Sequence, residues 1–175
     1  MQKPFHEDEH YQRLRDYLAA SSEETDRGHT LVVASLLEEM LEEILKGFLL
    51  EGSATENLFK SPYAPFSTLS AKAAASRALG LISDEEARDI DLIRKIRNDF
   101  AHNLLCSFED SRVRDRASEL QVGMGYLDKL EDGHESKVTN PKQRFAMVAL
   151  SLVTALYNRA HYVARERLKD RQWPQ

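Results

Sequence analysis

The sequence predicts an all-α fold, an up-and-down bundle of about six helices. Three observations predict it. Apolar residues recur at three- and four-residue spacing, most clearly Val33, Leu37, Met40, Ile44 and Phe48, as one face of a helix requires. Capping signals punctuate the chain at intervals that suit helices joined by short turns. No segment shows the alternation of a half-buried strand, and there is no internal repeat.

The elements follow in order. A first helix is expected over residues 7–20. Ser21-x-x-Glu24 reads as a capping box for a long second helix that ends near Glu51, with Gly52 as a left-handed cap. The connection 52–67 holds two prolines and is long for a compact helical domain, so it should pack down or serve a function. "STLSAKAAASRALG" is a short helix stopped by Gly80. Ser83-x-x-Glu86 opens a long helix reaching about Leu105, and Ser107-x-x-Asp110 opens one reaching about Leu120. Residues 121–139 are polar and glycine-containing. Asn140 as N-cap with Pro141 at the first helical position starts a last helix, expected to run to about Lys169. The whole, 1–175, reads as a single helical domain: a peripheral helix over 1–20, the bundle core over 21–170 and a tail over 171–175.

Composition narrows the function classes. The chain has 175 residues, and 24 Lys+Arg against 29 Asp+Glu leave a net charge of −5. Wholesale nucleic-acid binding is not expected from that balance. The lone Cys106 forms no internal disulfide and no multi-cysteine zinc site, and it fits a reducing, cytoplasmic setting. The start "MQKPFHEDEH" lacks the apolar core of a signal peptide. "FAMVALSLVTALYN" is shorter than the ~20 residues of a membrane span and reads as a buried helix.

The stretch "IRNDFAHN", residues 96–103, is the candidate site. With Ile93 at the centre of its helix's buried face, Phe100 and Leu104 fall within about 20° and Arg97 about 40° away. A guanidinium inside an apolar arc must be paired or otherwise satisfied. Glu39 and Glu43, at one edge of the second helix's apolar arc, are the candidate partners. His102 falls about 140° from Arg97 and shares its side with Asn98. On spacing alone, Arg97 is a structural ion-pair member and His102 an exposed residue that suits a helix C-terminus.

"RNDFAH" resembles the Arg-x4-His signature of the HEPN superfamily, small α-helical bundles that include metal-independent ribonucleases. The block "PFSTLSAKAAASRALGLISDEEARDIDLIRKIRNDFAH", residues 65–102, resembles the central region of the mannitol operon repressor family. "DRGHTLVVASLLEEMLEEIL" and "NPKQRF" are similar in style. The resemblance spans most of residues 25–155 and implies two functions. One is metal-independent endoribonuclease activity, as a toxin or stress effector. The alternative is a non-enzymatic transcriptional regulator acting through protein contacts.

Ribonuclease chemistry implied by the motif assigns each residue a role. The RNA supplies its own 2′-hydroxyl nucleophile. His102 would move a proton as general base or acid, and Arg97 would stabilise the phosphorane. Asn98 would orient the imidazole or hold a phosphate oxygen, and Asp99 would fix a ring nitrogen or pair with a base. Glu39 and Glu43 would support Arg97. No metal or cofactor is needed, and a 2′,3′-cyclic phosphate results. The resemblance further implies a homodimer in which two such helices meet, and an antitoxin or regulatory protein as partner.

Other signals are weaker. "HEDEH", residues 6–10, matches the H-E-x-x-H zinc pattern, but five upstream residues cannot form a substrate-cleft sheet, so it reads as a polar first turn. His29 reads as a core or edge histidine. Arg159, Arg165, Arg167, Lys169 and Arg171 could touch RNA phosphates, but they read chiefly as cations that stabilise a helix C-terminus. No basic recognition helix is legible, which weighs against direct operator binding.

Overall fold

The structure, a computed structural model, describes residues 24–125 and 140–174 together with Gln12, Arg15, Asp16 and Ala19. Those four isolated residues are helical. The rest of the helix expected over 7–20, the Ser21 cap and "HEDEH" lie outside the described residues, as do 126–139. Among the described residues there are six α-helices and no strand, as predicted.

Helix α1 spans Asp26–Phe48 and starts at Thr25, whose side chain accepts from the Gly28 amide. It does not start from the predicted Ser21–Glu24 box, since Glu24 lies outside the helix. It stops three residues before the predicted end. A tertiary partner takes its last carbonyl, Leu168 N–H donating to Phe48 O at 2.7 Å, and just beyond the helix Thr55 Oγ1 donates to Leu50 O at 2.5 Å. Gly52, at φ 140°, therefore precedes the short helix α2 (Ser53–Asn57) instead of closing α1. Beyond α2 the connection packs down. The rings of Phe59 and Phe66 lie 5.5 Å apart, and the Lys46 ammonium sits 5.1 Å from the centre of Phe59.

Helix α3 (Leu69–Ala78) is capped by Thr68 and followed by Gly80 at φ 73°, the left-handed turn predicted there. Helix α4 (Asp84–His102) opens on the complete Ser83–Glu86 capping box. It ends at His102, three residues short of prediction, with Asn103 extended at its C-cap. Ser107 and Asp110 form a hydrogen-bonded turn, not a helix start. Asp110 accepts from the Ser107 amide, and α5 (Ser111–Ser118) begins only after it. Helix α6 (Pro141–Val163) starts from Asn140 and Pro141 as expected. It ends before Lys169, passing into a 3-10 turn at Ala164–Glu166.

Helix α1 is the hub, packed against α3, α4 and α6. Its Leu37, Leu41 and Ile44 are fully buried with Ile93, Ile96 and Phe100 of α4 and Leu152 and Leu156 of α6. Each such side chain contributes about 1.5–3 kcal/mol of transfer free energy. A line of rings, Phe100, Phe108 and Phe145 at 5.2 and 5.3 Å, fixes the end of α4 to the loop after it and to α6. His29 meets Phe145 edge-on at 5.5 Å, and burial lowers its pKa, so it is the edge histidine predicted.

Candidate functional site

The end of α4 and the start of α5 border an open depression of about 500 Å³. Asn98, Asp99 and His102 line it, with Asn103, Cys106 and Arg112 among others. Three of the four predicted site residues therefore share one cleft. Arg97 does not line it, because 100° per residue turns it toward the other flank of α4.

Arg97 is half-buried and makes no hydrogen bond or ion pair among the described residues. The expected pairing with Glu39 or Glu43 is not formed. Those two carboxylates are exposed and border a separate depression with Ser35, Glu38, Glu42, Lys46 and Lys72. The buried cation of that region is Lys72, which the sequence reading passed over. Its ammonium lies 3.0 Å from Glu38 and 2.9 Å from Glu42. Burial works against the charge on Lys72, but the two carboxylates outweigh it and raise the pKa.

His102 is exposed on the last turn of α4, with no hydrogen bond among the described residues. Asp99 is engaged structurally. It takes a short hydrogen bond from Arg116, which also donates to Lys95 O at 3.3 Å, and Arg112 stands 3.9 Å away. This clamp ties α5 to α4. The turn after α4 is equally fixed. Arg27 Nη2 donates to Asn103 O at 2.6 Å, and Asn103 Oδ1 accepts from the Leu105 amide at 3.1 Å.

That turn holds out two leucines. Leu104 is 88% exposed and Leu105 90%, beside the cleft that His102 lines. Helical periodicity placed Leu104 on the buried face; the helix ends before reaching it, so the period no longer applies. Cys106 in the same cleft has its pKa raised, first by burial and then by the charge of Asp110. Among the described residues no group of three or more His, Cys, Asp or Glu is placed to hold a metal ion.

Fold and site together define a class: an all-α bundle presenting a polar cleft and an adjacent apolar knob, with Arg97 and His102 on different flanks of one helix. No family model and no curated protein matches the sequence. The fold is similar to that of a chain in the X-ray structure of the MtlR–HPr complex from Escherichia coli. The TM-score is 0.57 at 19% identity, over 86% of this chain and 98% of that one. The protein therefore has an MtlR-like fold. No helix among the described residues is long and apolar enough to cross a membrane.

Proposed function

We propose that this protein is a non-enzymatic, mannitol-repressor-like regulator that works in the cytoplasm through protein contacts. The MtlR-like fold supports the reading, because the solved relative in fold is a complex with the protein HPr. Fold alone does not carry function, so the observation on this chain's own surface is the one that carries it. Leu104 and Leu105 are held exposed to water by a turn pinned at Asn103. A pinned apolar pair beside a polar cleft fits an apolar contact patch with a polar rim.

The partner is a protein of the HPr kind. Calorimetry with HPr from the same cell tests this. Binding that falls at least ~10-fold in Leu104→Ser/Leu105→Ser, with the melting temperature unchanged, is the expected result. Loss of neither HPr binding nor operon control in that variant would refute the assignment of the knob.

A second reading rests on a different observation: Arg97 and His102 both lack partners among the described residues. A ribonuclease would need a second copy of the chain to bring Arg97 toward His102. Cleavage of single-stranded RNA in EDTA, with 2′,3′-cyclic phosphate ends and a loss of ~10²-fold in His102→Ala, favours it. Cleavage that persists in His102→Ala removes it.

A further inference from the structure

The segment after α6 has features that the regulator reading leaves unused. Leu168 N–H donates to Phe48 O at 2.7 Å, and Arg167 reaches Leu49 O at 3.4 Å, so the segment is held against the end of α1. Two aromatic side chains are exposed at its two ends, Tyr162 in the last turn of α6 at 62% and Trp173 at 75% exposure. The Arg165 guanidinium lies 5.8 Å from the centre of the Tyr162 ring. Lys169 and Arg171 are exposed and make no ion pair among the described residues. Over residues 165–171 the four cations Arg165, Arg167, Lys169 and Arg171 outnumber the two acids Glu166 and Asp170, so the local sign opposes the chain's net −5.

A helix dipole accounts for part of this. Positive charge is favourable within the last turn of α6 and little beyond it. Lys169 and Arg171 lie past the 3-10 turn, and a dipole gives no reason for exposed rings. Cations interleaved with exposed rings match a polymer that alternates phosphates with flat, apolar bases. A duplex closes its base faces and offers the rings nothing to stack on. A bilayer surface selects a helix with one apolar face. Here residues 167–174 are not helical, and Asp170 interrupts the cations.

We infer that the segment from Tyr162 to Trp173 is a docking strip for single-stranded nucleic acid. Phosphates meet Arg165, Lys169 and Arg171, while bases stack on Tyr162 and Trp173. Stacking tolerates any base, so the strip is expected to show little sequence preference. The inference does not rest on the regulator reading, and it uses no residue of the α4 cleft.

Trp173 is the one tryptophan of the chain, so its emission reports contact directly. A uridine oligomer of about 12 nucleotides, at roughly 50 mM salt, should quench that emission and bind in fluorescence anisotropy. Trp173→Ala and Tyr162→Ala should each weaken binding ~10-fold, whereas Trp173→Phe should stay within about threefold, because a ring remains. Lys169→Gln/Arg171→Gln should flatten the salt dependence by about two phosphate contacts. These positions are exposed, and unchanged thermal unfolding confirms that each variant is folded. The inference is overturned by no binding up to ~100 μM oligomer. It is also overturned by equal affinity for duplex or dextran sulfate with no effect of Trp173→Ala, or by quenching with phosphatidylserine vesicles alone.

Discussion

Replacing Arg159 by Met tests the polar tie between α6 and α4. Arg159 donates to both oxygens of Glu86 at 2.7 Å and to Leu81 O at 3.1 Å. Methionine keeps much of the apolar stem but leaves the Glu86 carboxylate, 11% exposed at its side chain, with only the Ser83 capping contact. Removing one member of a fully buried pair costs about 3–5 kcal/mol. The Arg159 side chain is 29% exposed, so water partly screens the pair, and about 2–3 kcal/mol is expected here. For a chain of this length that is a fall in melting temperature of about 4–12 °C. The pH dependence gives a second readout. Burial alone would raise the Glu86 pKa; the Arg159 hydrogen bonds and charge, together with Ser83, outweigh it and lower it. A carboxyl with a depressed folded pKa contributes stability that is complete above the ordinary glutamate value of about 4.3 and is lost as pH falls through the folded value. In Arg159→Met only Ser83 still opposes the burial effect, so the Glu86 pKa rises above its wild-type value and the variant loses less by protonation. The gap between wild type and variant should therefore narrow as pH falls from 7 to 4. Urea unfolding followed by circular dichroism at both pH values measures it. A deficit under about 0.5 kcal/mol at pH 7, or one that stays constant to pH 4, refutes the reasoning.

Other outcomes follow from the same geometry. Arg97→Ala, which a buried ion pair would have made costly, should change stability by less than about 1 kcal/mol, because it leaves behind no carboxylate among the described residues; thermal unfolding checks it. Asp89→Ala should cost about 2–3 kcal/mol and speed hydrogen exchange at residues 121 and 122, since the fully buried Asp89 accepts both of their amides at 2.7 Å. Alkylation of Cys106 at pH 8 should run slower than that of a free peptide thiol, because burial and Asp110 suppress the thiolate, and Asp110→Asn should speed it.

The legible parts of the sequence were those decided within a few residues. The Ser83–Glu86 box, the Asn140–Pro141 start and the Gly80 turn all form as read, because a cap's donors and acceptors lie within one helical turn. The α1 core face was legible for the same reason, since its period of 3.6 is a property of one segment. The MtlR-like fold followed from the motif block 65–102 and is the fold observed. Tertiary structure alone decided the rest. Where α1 ends depends on Leu168, which is far along the chain, donating to Phe48 O. Which cation is buried depends on how α3 lies on α1, and that choice took Lys72 to Glu38 and Glu42 and left Arg97 without a carboxylate among the described residues. Whether Leu104 is core or knob depends on α4 stopping at His102, where Arg27 claims the Asn103 carbonyl. Charges and helix ends are satisfied by whichever partner the packing brings near, and separation along the chain carries no information about that distance.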